Sequence, residues 1–351
     1  MQTQPDFFDG GALAQRSIRI SDQEAIALVR SHYGLDGSVT RFATEKDDTF
    51  CFTDRQRHRY TLKVANPAEP PNEIAFQIAV LRHIATVNPS LPVPRAIPNL
   101  DRLLQFPYRD SHGQDRQVHL LTFLEGTPLS EVDSRPRERE LIGEVLAGLR
   151  LATANFSHEA DSRELVWDVK HLLKLTPLLG EVSDPVRRRN LEKGLDRFAL
   201  FQDAIAKCRT QVLHNDFSKS NIVVDRSKSE FVAGIIDFGD TVRTAVAIDV
   251  STALVNQLPS RRTDDFFGAP LDVLRGYLRV ADLTPDELAL IPHLVMARVI
   301  TRALLTTWRA RLFPDNAPYI IRNTEQGWFQ LEWFLEHSAD SVSSLFVESI
   351  R

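Results

Sequence analysis

Three polar side chains in the second half of the chain have the types and the order that phosphoryl transfer requires. The stretch VLHNDFSKSNIVVD puts Asp216 two residues after His214 and Asn221 five residues after Asp216, and VAGIIDFGD then brings Asp237. A carboxylate such as Asp216 can orient an acceptor hydroxyl and accept its proton. Magnesium ions that bridge nucleotide phosphates are hard cations and need oxygen ligands, which Asn221 and Asp237 would provide. Two apolar runs, Ile222–Val224 and Phe231–Ile236, bracket the polar turn DRSKSE. A hairpin between them would return Asp237 to Asn221, and Gly239 allows a sharp exit from the second strand. Asp-Phe-Gly alone is a weak match. Joined to His-x-Asp, a spaced asparagine and a hairpin, it is far more specific than turn-forming polar residues around an ordinary hairpin.

The elements that must hold these residues change character near residue 125. Beyond it the pattern is helical, with spaced apolar residues over Glu138–Phe156, Pro185–Lys207, Leu271–Val280, Pro285–Leu312 and Glu325–Val347; the hairpin in Val212–Gly239 is the exception. Before it, Ser21 and Glu24 form a capping box for a helix over Ser21–Tyr33 that Gly34 can end. Strands are expected at Val39–Thr44, Phe50–Thr53, Tyr60–Val64, Arg102–Phe106 and Val118–Phe123, and a helix at Glu73–Ala85. This is a small α+β lobe, residues 1–124, followed by a larger mainly helical lobe, residues 125–351. A length of 351 residues agrees with two lobes at roughly 150 residues per domain.

Composition narrows the class. With 42 basic and 47 acidic side chains the net charge is −5, which offers no electrostatic footprint for nucleic acid or an anionic membrane. Cys51 and Cys208 cannot build a disulfide framework or a four-ligand zinc site and fit a reducing compartment. The opening MQTQPDFFDGG shows no secretory signal, and the apolar run LVMARVITRALL is broken by Arg298 and Arg302. The expectation is a cytoplasmic protein without nucleic-acid or membrane partners, its oligomeric state open.

At the His214–Asp237 segment the sequence resembles the aminoglycoside phosphotransferase and choline kinase-like branch of the protein kinase-like fold, whose pattern is H-G-D-x-x-x-x-N followed by I-D-[FW]-[GE]. Asn215 stands where that family has glycine, a departure that bears on the loop's backbone. The resemblance implies a two-lobe fold, Asp216 as the base, Asn221 and Asp237 as Mg2+ ligands, and ATP or GTP as co-substrate. It implies that His214 packs the catalytic loop and that Asp249 braces it. In the first lobe it implies that Lys63 neutralises phosphates, paired with Glu73 or with Gln77 one turn later. Backbone groups at Thr122, Phe123 and Leu124 would then meet the nucleobase, with Val64 and Ile236 as apolar candidates to sandwich it. The phosphate-covering stretch ATEKDDTFCF has no glycine, and Asp47 and Asp48 must fold away from a triphosphate or occupy turn positions; Thr44 or Thr49 could add hydroxyl donors.

The stretch LFPDNAPYIIRNTEQGWFQLEWF resembles the closing segment of hydroxylysine kinases, which implies a small-molecule acceptor such as 5-hydroxylysine or a similar amino alcohol. Such an acceptor needs carboxylates for its ammonium groups and a guanidinium for its carboxylate. Asp240 is placed for the first; Arg243, Arg298 and Arg302 are candidates for the second, the last two one helical turn apart. An aminoglycoside, homoserine or other hydroxyl kinase of the same fold is the alternative. A catalytically silent nucleotide-binding module is another, argued by Asn215 and the glycine-free loop.

Overall fold

The computed structural model describes residues 7–8, 14–15, 17–44, 46–348 and 350. They fall into two compact units, one running up to Glu125 and including His158–Ala160, the other comprising Gly126–Ser157 and everything from Asp161.

The first unit begins with helix α1 (Asp22–Tyr33), whose N-cap Ser21 accepts a hydrogen bond from the Glu24 N–H at 3.1 Å and whose exit is Gly34 at φ 68°. The capping box is only half made. Glu24 instead accepts from the Tyr108 hydroxyl at 2.8 Å and from Ser111, because a second element packs over the helix start. Strands β1 (Gly37–Arg41), β2 (Asp48–Asp54) and β3 (Arg59–Val64) precede helix α2 (Pro71–Val87), followed by β4 (Ala96–Ile97), β5 (Phe106–Arg109) and β6 (Asp115–Thr122). The sheet is antiparallel in the order β1-β2-β3-β6-β4, with β5 also on β6. The strand expected at Arg102–Phe106 begins only at its last residue. Asn99 accepts from the Leu103 N–H at 2.8 Å and Arg102 turns left-handed at φ 64°, so that stretch is a turn. Phe50, Phe52, Leu62, Val64, Val118 and Leu120 alternate onto the face that Leu28 and Val29 of α1 cover, and all are buried.

In the second unit β7 (Thr127–Pro128) pairs with the strand Ile222–Val224. Helix α3 (Pro136–Ala152) is followed by a 3-10 stretch, Val169–Glu181, then α4 (Pro185–Ala199) and α5 (Gln202–Ala206). The single helix expected over Pro185–Lys207 breaks at Leu200 and Phe201. Strands β8 (Thr210–Leu213), β9 (Ile222–Val224), β10 (Val232–Ile235) and β11 (Val242–Ala245) form two small antiparallel pieces, β9 with β10 and β8 with β11. Helices α6 (Val246–Val255), α7 (Gly268–Leu278), α8 (Pro285–Leu312), α9 (Ala317–Ile321), α10 (Glu325–Glu336) and α11 (Ala339–Glu348) complete it. The helix expected over Glu325–Val347 is interrupted at His337, which is extended at φ −115°, ψ 143°.

Helix α8 is long and apolar enough to cross a membrane by length and composition, and it is packed in this unit against α6, α10, α11 and the 3-10 stretch. Thr284 and Glu287 cap it reciprocally. Helices α3 and α7 cross at closest range through glycines. A Cβ at Gly143 would lie 1.9 Å from the Val273 carbonyl oxygen, and one at Gly276 would lie 1.9 Å from that of Glu140.

Candidate active site

Strand β8 ends at Leu213 and delivers His214 into the core, where it is buried with its ring edge-on to Phe238 at 4.7 Å. Its Nδ1 accepts from the Asp216 N–H at 3.3 Å and its Nε2 meets the Ile236 carbonyl at 3.1 Å, which fixes the Nε2–H tautomer. Burial lowers the ring's pKa, so it is a neutral strut between the loop after β8 and the far strand.

Asn215 adopts φ 61°, the left-handed region that glycine and asparagine tolerate best. The departure from glycine therefore keeps the bend. The Asn215 N–H donates to Asp249 Oδ1 at 2.7 Å, the brace expected of that aspartate. Asp249 is fully enclosed, and burial pushes its carboxyl up to about 6.

Asn221 lies in a single 3-10 turn, and its Nδ2 donates to Asp216 Oδ2 at 2.6 Å and to the Asp216 carbonyl at 3.0 Å. That fixes the Asp216 carboxylate and leaves the Asn221 carboxamide oxygen as the hard donor. In the hairpin Ile222 is opposite Ile235, and the Ile236 N–H donates to the Asn221 carbonyl at 2.9 Å. The register thus brings Asp237, the next residue, to the same end as Asn221. Asp237 is itself left-handed at φ 60°, with its carboxylate accepting from the Gly239 N–H at 3.4 Å. A Cβ on Gly239 would meet that carboxylate oxygen at 3.1 Å, so glycine there preserves its position.

Two residues that the sequence reading missed lock the exit from this turn. Arg163 donates to the carbonyls of Gly239 and Thr241, and Lys170 donates to the Arg243 carbonyl at 2.9 Å while pairing with buried Asp168 at 3.0 Å. Both come from the poorly patterned segment after α3, so only their charge marked them. Asp240 follows in the same turn, half-buried. Arg243 pairs with Asp161 at 2.7 Å and also donates to the Phe156 carbonyl, which ties its guanidinium into the framework. Arg298, by contrast, reaches the loop after β8. Its Nη2 is 3.4 Å from Asp216 Oδ1, its Nη1 donates to the Trp167 carbonyl, and its guanidinium lies 5.0 Å from the Trp167 ring centroid. Arg302, one turn further on α8, donates to Gln330 Oε1 at 3.1 Å.

In the first unit Lys63 is on β3 opposite Thr49 and His119. Glu73 is in the first turn of α2 and Gln77 is buried one turn later. The acids of the glycine-free loop are folded away. Asp47 Oδ1 accepts from the Asn66 N–H at 2.9 Å, and Asp48 is buried against Arg41 and Arg116. Thr44 donates its hydroxyl to the Asp47 carbonyl. The loop's cation, Lys46, pairs with Glu69 at 2.9 Å, a contact that no spacing rule suggested. Burial raises the Glu69 pKa despite that lysine. In the segment expected to meet the nucleobase, the Thr122 N–H donates to the Arg95 carbonyl at 2.9 Å and the Phe123 N–H to the Arg59 carbonyl at 3.3 Å. Both donors are used within the unit because this strand end is paired on both sides. Leu124 follows them half-buried, and the Phe123 ring stacks against Phe42.

Comparison with known proteins gives a consistent pattern. Residues 38–290 match the model of a family described as the phosphotransferase enzyme family. The hydroxylysine kinase of Bos taurus is 25% identical over 358 residues, covering 94% of this chain and 93% of that protein. A solved microcompartment-associated aminopropanol kinase superposes with a TM-score of 0.73 at 19% identity, over 89% of this chain and 97% of that one. An amicoumacin kinase solved with AMP-PNP and Ca2+ gives 0.68 at 17% identity, over 88% and 94%. The structural likenesses establish the α+β, protein kinase-like fold for a chain with an N-terminal antiparallel sheet and a helical C-terminal part.

Proposed function

Because the chain belongs to the phosphotransferase enzyme family, we propose that it transfers the γ-phosphoryl group of ATP or GTP to the side-chain hydroxyl of 5-hydroxylysine or a closely similar amino alcohol. The observation that carries this reading is the grip of Asn221 on Asp216 at 2.6 Å, at the hairpin end where Asp237 also emerges. The 25% identity with a hydroxylysine kinase along nearly the whole chain supports the acceptor class.

In this mechanism the Asp216 carboxylate orients the acceptor hydroxyl and takes its proton. The hydroxyl oxygen bonds to the γ-phosphorus as the bond to the β–γ bridging oxygen breaks, and the nucleoside diphosphate leaves. Asn221 holds Asp216 through its amide nitrogen and offers its amide oxygen to a cation, together with the Asp237 carboxylate. Among the described residues no cluster of three His, Cys, Asp or Glu could hold a metal. Two hard oxygen donors fit an ion such as Mg2+ that completes its shell with phosphate and water, and such an ion would neutralise phosphate charge. We assign Lys63, with Glu73, to the nucleotide phosphates, and the Thr122–Leu124 segment to the nucleobase through its carbonyls and Leu124.

The test uses purified protein, Mg2+ with ATP and GTP in parallel, and mass detection of phosphorylated 5-hydroxylysine beside aminoglycosides and homoserine. Transfer to 5-hydroxylysine is expected. Nucleotide binding without transfer to any hydroxyl would overturn the proposal.

A further inference from the structure

Two guanidinium groups project from one stretch of α8, and among the described residues only one carboxylate meets them. Arg298 is 7% exposed, and its carboxylate partner is Asp216 at 3.4 Å, the group assigned as base. Arg302 makes no ion pair among the described residues; its hydrogen-bond partner is Gln330 Oε1 at 3.1 Å. Gln330 is fully buried and its Nε2 donates to the Pro259 carbonyl at 2.9 Å, so its oxygen must face Arg302. The Arg302 Nε is covered and has no partner among the described residues. Burial, and then the neighbouring Arg298 charge, pulls the Arg302 guanidinium down to about 10. Arg302 is half-buried, and a cation held with a covered nitrogen beside another cation is costly unless an anion joins it; a guanidinium fork matches a carboxylate with two parallel hydrogen bonds.

We infer that Arg298 and Arg302 are a carboxylate-binding pair, so that the site selects acceptors bearing a carboxylate as well as a hydroxyl. This deepens the reading above and rests on it. The placement also sets direction: the acceptor hydroxyl belongs at Asp216 and its carboxylate further along α8. Trp167 supports the arrangement by holding Arg298 from its carbonyl and its ring face. A role confined to orienting Asp216 would account for Arg298 and leave the unmatched charge of Arg302 unexplained.

The experiment compares kcat/KM for 5-hydroxylysine and for 1,5-diaminopentan-2-ol, the same molecule without its carboxylate. The wild-type protein is expected to prefer the first by about 10–100-fold, the range for charge-assisted hydrogen bonds. Arg302→Met should collapse that ratio toward one, and Arg302→Lys should leave it intermediate. Thermal unfolding of both variants checks the fold. Equal wild-type efficiency for the two acceptors, or an unchanged ratio in Arg302→Met, overturns the inference. A rise in nucleotide KM with the acceptor ratio intact would assign the pair to phosphate and overturn it as well. If no acceptor is phosphorylated, the kinase reading fails by itself; stabilisation by L-lysine but not by cadaverine in thermal shift, lost in Arg302→Met, still upholds the carboxylate pair, and equal shifts refute it.

Discussion

Arg116 in the first unit is buried and Arg302 in the second is half-buried with its Nε covered, and their surroundings differ. Arg116 has no exposed side-chain surface and meets Asp48 at 3.0 Å and Asp110 at 3.5 Å, with further bonds to the carbonyls of Ala65 and Val64. Asp48 is in turn shared with Arg41 and with the Ile20 N–H at 3.2 Å. Charge there is matched, donor for acceptor, and the cluster ties β2, β3 and β6 together. Arg302 has an amide oxygen and, among the described residues, no carboxylate. A matched network serves architecture, whereas the unmatched Arg302 is the cation for which we propose an incoming carboxylate.

The harshest way to break this contrast is to remove Asp216, the one carboxylate that meets Arg298 or Arg302 among the described residues. Asp216→Asn should lower turnover by roughly 10²–10⁴-fold while nucleotide affinity persists, measured by steady-state phosphate transfer. Unchanged turnover would mean that another group takes the proton. On the first side, Arg116→Met leaves Asp110 and part of Asp48 without their cation, and should cost about 3–5 kcal/mol in denaturant unfolding. The same substitution at Arg302 should shift stability far less, and equal losses at both positions would erase the distinction.

A third measurement extends the contrast to acids. Asp249 is enclosed with a backbone N–H as its hydrogen-bond partner, and burial raises its carboxyl to about 6 from an ordinary 3.8. The fold therefore favours the protonated form: that contribution is complete below about pH 4 and is lost as pH rises through 6. A carboxamide at this position does not titrate, so the stability of Asp249→Asn relative to wild type should grow by about 3 kcal/mol between pH 4 and 7.5. A flat difference would show that Asp249 titrates alike in both states.

The hairpin that carries the candidate site was more legible than the scaffold around it. Asp216, Asn221 and Asp237 stood out as candidates because phosphoryl transfer would dictate their type and order, and the hairpin between them, which the structure contains, was marked by two apolar runs around a polar turn. Helix α6 could not be read: all ten of its residues are buried, so no polar face gives it a helical period. The 3-10 stretch Val169–Glu181 hid for a related reason, since its period suits neither an α-helix nor a strand and Pro177 lies within it. Lys46–Glu69, Arg163 with Gly239, and Arg116 with Asp48 are pairings across long sequence separations. Each residue is conspicuous as a charge, while its partner is chosen only by the folded chain. The breaks at Leu200 and His337 fall inside continuous apolar patterns, where tertiary packing decides what periodicity does not.

The crossing of α3 and α7 has a consequence for any survey of substitutions in this chain. At Gly143 and Gly276 the facing backbones leave room for hydrogen and nothing larger, so even alanine must pry the two helices apart. Loss of viability at these two positions would report assembly of the scaffold and carry no information about turnover. They can serve as internal rulers against which losses around the catalytic loop are gauged.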